Sequence, residues 1–251
     1  MIVCEDVWKS YDDLQVLKGL DLTVQTGETL VVLGRSGVGK SVLLKQLMGL
    51  EKPEKGRIYI DEVCLTELKE QELYHAIRHM GMLFQGGALF DSLTVEDNIG
   101  FYLNEHKDVQ MSKEEIKDRV NEALKFVDLE GTNDKMPAEL SGGMKKRAAI
   151  ARLIAYRPTI LFYDEPTTGL DPITADQINH LIRTVQQELN ATSVVVTHDI
   201  QAALVVADRL ALNEDGVIKY IDTPQNFLKI QHPTIEFLYK MMYENKDNEK
   251  K

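Results

Sequence analysis

The sequence contains no apolar run long enough to cross a membrane as a helix. A spanning helix needs about 18 or more consecutive apolar residues, and no stretch of that length occurs. The first residues have no basic segment followed by an apolar core, so we expect no secretory signal. Any role at a membrane is therefore expected to come through a partner.

Cysteine and clustered positive charge are also scarce. The chain has two cysteines, Cys4 and Cys64, which form no CxxC pair. This argues against a disulfide framework and fits a reducing compartment. The formal net charge is −11, and no block of Lys and Arg occurs on the scale of a nucleic-acid patch. Since binding to a phosphate backbone needs a basic surface, we expect no nucleic-acid partner.

A phosphate-binding loop is the clearest motif. It follows an apolar run at residues 30–33, which predicts a buried strand, and it precedes a helical pattern. Strand, G-x-x-x-x-G-K-[ST] and helix together are the required context of this loop, whose amides and helix N-terminus attract phosphate. We expect Lys40 to reach the β- and γ-phosphates and Ser41 to bind Mg²⁺. The expected nucleotide-binding residues here are Gly34, Arg35, Ser36, Gly37, Val38, Gly39, Lys40, Ser41 and Val42.

Two further predicted strands end in polar side chains. Residues 160–163 predict a buried strand that ends in Asp164 and Glu165, and ligands bind at this end of open α/β sheets. We expect Asp164 to hold Mg²⁺ and Glu165 to orient and deprotonate the attacking water. His198 follows the predicted strand at residues 193–197. A lone histidine is usually structural, but its place on the ligand side leads us to interpret it as catalytic.

Two predicted helices begin with strong caps. Ser141 is a good N-cap, and Gly142 and Gly143 follow it. Glycines in a first turn cost roughly 1 kcal/mol each relative to alanine, which indicates that an anion needs close access to this helix end. Asp171 predicts a second N-cap, with Pro172 at the first helical position.

Tyr11 and a histidine pair are less specific signals. Tyr11 falls in the predicted loop between the first two strands, where its ring could stack on a nucleotide base; a packing role is the alternative. His75 and His79 have the i,i+4 spacing of metal ligands, but no third ligand is evident. We therefore favour a solvated helix face for the two histidines.

Length and patterning predict one α/β core with a helical insertion. The chain has 251 residues, which suits a large α/β domain with an inserted subdomain. Strand patterns occupy residues 1–91 and 157–230, whereas residues 92–156 show helical patterns. Residues 231–251 form a C-terminal extension whose last part, 245–251, is predicted to be disordered. An apolar stripe in this extension predicts a helix, formed by Ile235, Leu238, Tyr239 and Met242. We expect this helix to pack on a partner copy or on its own domain. A frayed end is the alternative.

The order and spacing of these motifs resemble the ATP-binding subunit of ABC transporters. The resemblance covers residues 1 to about 230 and includes the phosphate loop, Gln85, residues 140–143, 160–165 and 169–171, and His198. It implies an α/β P-loop NTPase of ABC type with an antiparallel β subdomain and an inserted α-helical subdomain. A narrower similarity, to the ATPase of Mce/Mla-type phospholipid transport systems, is carried by residues 82–90, 139–149 and 169–174. Met144 replaces the usual Gln, which fits that branch, and Val42 replaces a common Thr.

The resemblance implies an ATPase that works as a head-to-tail dimer with two ATP molecules at its interface. Each ATP would be held by the phosphate loop of one subunit and by Ser141, Gly142 and Gly143 of the other. This shared site would explain the two glycines, which neither subunit needs by itself. Tyr11 would stack on adenine, Gln85 would contact Mg²⁺ and the attacking water, and Asp171 would belong to the nucleotide site.

The same resemblance implies a membrane partner. An integral permease would dock in a groove near residues 85–97 and hold the protein at the cytoplasmic face of the inner membrane. Phospholipid is the expected cargo, with lipoprotein release or small-solute import as alternatives. A soluble ABC ATPase acting on DNA or ribosomes would typically carry a long coiled coil or a second cassette, and neither is present. A regulatory module without turnover is disfavoured by the intact Glu165 and His198.

Overall fold

The computed structural model describes residues 1–106 and 110–248, with side chains described up to Lys240. The strands are β1 (Ile2–Tyr11), β2 (Leu14–Val24), β3 (Thr29–Leu33), β4 (Lys55–Ile60), β5 (Val63–Cys64), β6 (Met80–Leu83), β7 (Ile160–Asp164), β8 (Thr192–Thr197), β9 (Arg209–Glu214) and β10 (Val217–Asp222). The α-helices are α1 (Lys40–Leu47), α2 (Glu70–Ile77), α3 (Val95–Glu105), α4 (Lys113–Phe126), α5 (Gly142–Ala155), α6 (Pro172–Leu189), α7 (Ile200–Val206), α8 (Pro224–Phe227) and α9 (Pro233–Asn248). None of these helices is long and apolar enough to cross a membrane.

The chain divides into two compact units. The first contains Met1–Arg78 and Thr192–Lys251, and the second contains His79–Ala191. Within the described parts of residues 92–156 the regular elements are all helical, in agreement with the sequence pattern. The predicted boundaries, 1–91 with 157–230, 92–156 and 231–251, stay a prediction.

The first unit contains an antiparallel sheet and a mainly parallel one. The antiparallel sheet has the strand order β2-β1-β4-β5. In the other, β3 pairs in parallel with both β8 and β9, and β10 pairs antiparallel with β9. Every residue of β3 is buried, as expected of a parallel strand covered on both faces. This central strand carries the phosphate loop at its carboxyl end.

The first hairpin is longer than its sequence pattern predicted. Strand β1 extends to Tyr11, and only two residues separate it from β2. Asp12 adopts a φ of 51°, the left-handed conformation that a tight turn requires. Register shifts along β1 interrupt the simple alternation of apolar and polar residues that marks a strand. Tyr11 is therefore the last residue of a strand, and its predicted place in a loop was wrong.

The second unit combines a parallel strand pair with a helical cluster. Strands β6 and β7 pair in register from Met80 with Ile160 to Leu83 with Tyr163. Helices α3, α4 and α5 pack on one another, and α5 also packs on β6 and α6. Helix α5 is the most buried of the cluster, with a run of small and aliphatic residues in its interior face: Ala148, Ala149, Ile150, Ala151, Leu153, Ile154 and Ala155.

The C-terminal extension forms a helix that packs on its own unit. Helix α9 contacts α7, and Ile235 is buried. The hydroxyl of Thr234 donates to the Glu214 carboxylate at 2.6 Å. Packing on its own domain is thus observed for the start of the helix. The side chain of Met242 lies outside the described residues. The predicted disorder from residue 245 was wrong as far as Asn248, since α9 continues to that residue.

A buried asparagine organises the turn that precedes α3. Asn98 is fully buried. Its amide group accepts a hydrogen bond from Phe90 N at 2.7 Å and donates to the main-chain oxygens of Phe90, Leu93 and Thr94 at 2.9 to 3.1 Å. Because buried main-chain groups without partners are costly, this one side chain holds the whole turn.

Replacing this asparagine should therefore destabilise the protein. We expect Asn98→Ala to lower the free energy of unfolding by about 3 kcal/mol, because several buried polar groups lose their partner at once. Urea unfolding followed by circular dichroism measures the change. Asn104→Ala is the matched control: it removes the same side chain from an exposed position of the same helix and should change the stability by less than about 0.5 kcal/mol. Equal effects of the two variants would contradict this role of Asn98.

Candidate functional site

The loop after β3 is shaped by glycines in backbone conformations that other residues rarely adopt. Gly37 has a φ of 84°, and Gly39, the N-cap of α1, has a φ of 94°. A Cβ atom on Gly39 would lie 2.6 Å from Cγ1 of Val16, and one on Gly34 would lie 2.7 Å from the main-chain oxygen of Asn213. The loop therefore requires glycine for both conformation and space. Larger residues at these positions would distort the loop or clash with Val16 and Asn213.

Lys40 directs its ammonium group into this loop. Its side chain is buried, and Nζ donates to the main-chain oxygens of Gly34 at 2.8 Å and Arg35 at 3.1 Å. Helix α1 has no side-chain cap and no acidic residue in its first turn. Helix N-termini of this kind attract anions. A phosphate group fits this site, because it would meet both the lysine and the helix N-terminus. Ser41 is exposed in the same first turn, and Val42 follows it.

Tyr11 and His198 are exposed side chains of the same unit. The Tyr11 hydroxyl donates to the Glu51 carboxylate, and Lys9 Nζ lies 5.4 Å from the ring centroid. Partial desolvation of the hydroxyl and its hydrogen bond to Glu51 raise the pKa of Tyr11 to about 12. His198 directly follows β8 and is exposed. The next residue, Asp199, caps α7 by accepting a hydrogen bond from Gln201 N at 2.8 Å.

In the second unit, two acidic residues stand at the end of β7. Asp164 is its last residue, and Glu165 follows with a φ of 45°. A non-glycine residue in the left-handed region is strained, and such strain is often found at functional sites. The Glu165 carboxylate accepts a hydrogen bond from the Thr168 hydroxyl at 3.4 Å. The turn therefore holds the main chain of Glu165 in a left-handed conformation, and the residue is half-buried.

The predicted magnesium ligands are a hydroxyl in the first unit and an amide and a carboxylate in the second. Among the described residues, no three His, Cys, Asp or Glu side chains converge on one point. The predicted ligands Ser41, Gln85 and Asp164 supply only one carboxylate. Mg²⁺ commonly binds through one or two carboxylates together with water and substrate phosphates. The oxygen atoms of the predicted ligands are of the types that Mg²⁺ binds in this way.

The N-terminus of α5 contains one open glycine and one packed glycine. Ser141 caps the helix, and its hydroxyl oxygen accepts a hydrogen bond from Met144 N at 3.3 Å. A Cβ atom on Gly143 would lie 2.6 Å from Cγ2 of Thr174. Among the described residues, a Cβ atom on Gly142 would come within 4 Å of Leu170 alone, at 3.7 Å. Packing within one chain therefore requires glycine at position 143, whereas the family resemblance implied that neither glycine is needed there. Packing against the described residues does not require glycine at position 142, which is consistent with contact from another molecule.

Asp171 has a clear local role. One of its carboxylate oxygens accepts from Thr174 N at 3.0 Å and the other from the Thr174 hydroxyl at 2.6 Å. These bonds confirm the predicted N-cap of α6 and lower the pKa of Asp171. The carboxylate is thereby held at the start of α6, after the turn that follows Glu165.

Two basic residues of α5 hold the segment that begins at Gln85, and the sequence reasoning missed both. Lys146 Nζ donates to the main-chain oxygen of Gln85. Arg152 donates to the main-chain oxygens of Gly87 at 3.1 Å and Ala88 at 2.8 Å. The sequence did contain a signal for Lys146. It shares a predicted helix face with Ala149, Ile150 and Leu153, at i+3, i+4 and i+7, so it is a charged residue on an otherwise apolar face.

The structure thus groups the predicted residues into two sets. One unit carries the phosphate loop, Tyr11 and His198. The other carries Asp164, Glu165 and Asp171, together with Gln85 and the cap formed by Ser141. A phosphate loop after a central parallel strand, and an acidic turn after another parallel strand, define a P-loop nucleotide-binding protein.

Comparison with known proteins identifies the family. The model described as "ABC transporter" matches residues 17–168, and the chain belongs to this family. It superimposes with a TM-score of 0.82 on a structure described as a dimeric, post-hydrolysis state of the ATP-binding cassette MJ0796 bound to ADP and Pi, with 34% sequence identity. The match covers 89% of this chain and 99% of that one. The predicted fold class, an ABC-type P-loop NTPase, is confirmed.

The named relatives of the chain are described as transport proteins for different substrates. The chain is 42% identical over 204 residues to the probable ribonucleotide transport ATP-binding protein mkl of Mycobacterium tuberculosis, which covers 81% of this chain and 56% of that protein. This chain therefore spans little more than half the length of the mycobacterial relative. It is 39% identical over 219 residues to the intermembrane phospholipid transport system ATP-binding protein MlaF of Haemophilus influenzae, which covers 87% of this chain and 82% of that protein.

Proposed function

We propose that this protein is the ATP-hydrolysing motor subunit of an ABC transporter. The observation that supports this most is the phosphate loop, where Gly37 and Gly39 adopt left-handed conformations and Lys40 is buried within the loop. Such a loop serves to bind a nucleotide's phosphates. Membership of the ABC transporter family supports the coupling of that nucleotide to transport.

The phosphate loop is the proposed ATP-binding element. Lys40 donates to two main-chain oxygens of its own loop, and it would exchange them for β- and γ-phosphate oxygens of bound ATP. Ser41, Gln85 and Asp164 would hold Mg²⁺, which supplies neutralisation of phosphate charge when bound. Tyr11 would stack on the adenine ring. Its hydroxyl donates to Glu51, and the residue is 40% exposed.

Glu165 is the proposed general base. Its main chain is held in a strained conformation at the end of β7, and Thr168 restrains its carboxylate. A base held this way orients the attacking water without reorganisation of the side chain. His198 would act beside the γ-phosphate. Catalysis would therefore depend on positioning and electrostatics rather than on a covalent intermediate.

Replacing Glu165 by glutamine tests this role. Glu165→Gln keeps the size and shape of the side chain but removes its basicity, so ATP should still bind while its hydrolysis falls at least about a hundredfold. Phosphate release measures hydrolysis, and a fluorescent ATP analogue measures binding. Thr168→Ala is an informative companion, because it removes only the restraint on the carboxylate and should cost far less activity. Near-normal turnover by Glu165→Gln would rule out Glu165 as the base.

The active form is proposed to be a head-to-tail dimer. Gly142 at the start of α5 is exposed and is not explained by packing within its own chain. An exposed helix N-terminus capped by Ser141 suits a γ-phosphate bound to a second copy of the chain. The dimeric, ADP-bound and Pi-bound cassette among the structural relatives supports this arrangement. Each ATP would then contact the phosphate loop of one subunit and Ser141, Gly142 and Gly143 of the other, with Asp171 close by.

The proposed cargo is phospholipid. The Haemophilus relative named for intermembrane phospholipid transport supports this choice, as do the sequence similarities at residues 82–90, 139–149 and 169–174. Other relatives are named for transport of ribonucleotide, Fe³⁺ or sulfate, so small-solute import is the alternative, together with lipoprotein release. The protein would work at the cytoplasmic face of the inner membrane, held there by an integral permease.

The permease is proposed to dock near residues 85–97. Three aromatic side chains in or beside this segment are about 40% exposed: Phe84, Phe90 and Phe101. The rings of Phe90 and Phe101 lie 4.6 Å apart and form a small apolar surface. Exposed apolar patches often mark partner sites, and Phe90 lies five residues after Gln85, which is proposed to contact Mg²⁺.

Transport of labelled phospholipid tests cargo and docking together. The complex reconstituted with its permease should move the lipid between vesicle populations only with ATP and Mg²⁺. Phe90→Asp should abolish this movement and release the permease, yet leave ATP binding intact, because a charge would replace an apolar contact. Val63→Asp, at a similarly exposed apolar residue of the other unit, is the control and should transport normally. ATP-dependent movement of a small solute instead of lipid would overturn the cargo assignment alone.

A further inference from the structure

The turn that joins β9 to β10 consists of two residues, Asp215 and Gly216. Their φ angles are 54° and 82°, the positive values that the tightest hairpin turns need at both positions. Val217 pairs with Glu214 across the turn, and Lys18 N in β2 donates to the main-chain oxygen of Gly216 at 3.0 Å. The turn is therefore fixed by its own sequence and attached to β2.

This hairpin lies against both ends of the phosphate loop, directly at one end and through β2 at the other. A Cβ atom on Gly34 would lie 2.7 Å from the main-chain oxygen of Asn213 in β9. Cβ atoms on Gly39 and Gly216 would lie 3.2 and 2.3 Å from the main-chain oxygen of Val16. Val16 thus packs against the loop and the turn alike. Since such close packing leaves no free space, movement of the hairpin should displace the loop.

The start of the C-terminal extension holds the last residue of β9. The Thr234 hydroxyl donates to one carboxylate oxygen of Glu214 at 2.6 Å, and Nε2 of His232 lies 3.3 Å from the other oxygen. The ring of Tyr220, in β10, lies 5.4 Å from the His232 ring, and Ile235 is buried directly after Thr234. The Glu214 side chain is 30% exposed, so water screens these contacts only in part.

We propose that Glu214 is a positioning residue for the phosphate loop, through which the start of α9 controls how tightly the loop binds nucleotide phosphates. Its carboxylate holds the β9–β10 turn to the C-terminal extension, and the turn keeps Val16 packed against Gly39. Without this hold the nucleotide itself must order the loop, and that cost appears as weaker binding. All of these residues belong to the first unit. The inference rests on the proposed function, because it concerns nucleotide binding at this loop.

Substitutions at both ends of the contact test this role. Glu214→Ala removes the carboxylate, whereas Glu214→Gln keeps an oxygen that accepts from the Thr234 hydroxyl. Thr234→Val removes the donor with little change in size. Glu236→Ala is the matched control, because it removes an exposed glutamate from the same helix. The readouts are the dissociation constant of a fluorescent ATP analogue, KM and kcat for ATP hydrolysis, and the thermal unfolding midpoint.

Loss of the contact should weaken nucleotide binding without slowing the chemical step. We expect Glu214→Ala to raise the dissociation constant at least about fivefold and Thr234→Val at least about threefold, because the loop is no longer ordered in advance. KM for ATP should rise in parallel, while kcat at saturating ATP changes less than about twofold. Glu214→Gln and Glu236→Ala should both stay within about twofold of the unchanged protein.

A double-mutant cycle tests whether Glu214 acts through Val16. Val16→Ala removes the side chain whose Cγ1 packs against Gly39 but leaves the contacts of Glu214 in place. If the two residues act in one chain of contacts, their effects on binding are not additive. In the Val16→Ala background, Glu214→Ala should therefore raise the dissociation constant by less than about twofold. A full fivefold rise there would contradict the proposed route.

Other results would overturn the proposal outright. An unchanged dissociation constant in Glu214→Ala, with a normal unfolding midpoint, would leave Glu214 with a purely structural role at the C-terminal extension. If Glu214→Ala fails to fold, Thr234→Val, alone and combined with Val16→Ala, decides the outcome by the same criteria. If the unchanged protein itself binds no ATP analogue, the proposed function fails. That outcome is distinct, because failure of the role of Glu214 appears only in the comparison of variants that all bind nucleotide.

Discussion

The phosphate loop depends on two backbone conformations that only glycine adopts without strain. Gly37 and Gly39 turn the chain sharply between the buried strand β3 and helix α1. The turn directs the start of α1 into the loop and lets Lys40 return to the carbonyls of its own loop. Without these conformations the helix N-terminus and the lysine would not converge. The remaining sequence of unit 1 supports this turn, as Val16 and Asn213 show by their close approach to it.

Charged side chains mark the functional part of the second unit. Its acidic residues stand at one strand end, where Asp164 and Glu165 follow buried aliphatic and aromatic residues. Helix α5 brings a buried cation, Lys146, to the main-chain oxygen of Gln85. The same helix begins with an exposed Gly142. One helix therefore holds the segment after β6 through Lys146 and Arg152 and carries an exposed N-terminus at Gly142.

The sequence predicted the local features of the site well, because they depend on residues close together in the chain. The caps Ser141 and Asp171 bond to groups three residues away, and the phosphate loop is contiguous. Contacts between residues far apart in the chain could not be predicted from the sequence. Lys146, for example, is 61 positions from Gln85, to which it donates a hydrogen bond. The packing of Thr174 against Gly143 likewise follows from how α5 and α6 meet. The extension of β1 to Tyr11 was missed because bulges disturb its alternation.

The most direct test of the account is whether two copies share each ATP site. Mixed dimers can carry Lys40→Ala in one subunit and Gly142→Asp in the other, or both changes in the same subunit; a Cβ atom at position 142 makes only an ordinary contact with Leu170, at 3.7 Å. With the changes in different subunits, both fall on one ATP site and the other stays intact, so substantial ATP hydrolysis should remain. With both in one subunit, each site is damaged and hydrolysis should fall to background. Equal activity of the two arrangements would contradict the shared site.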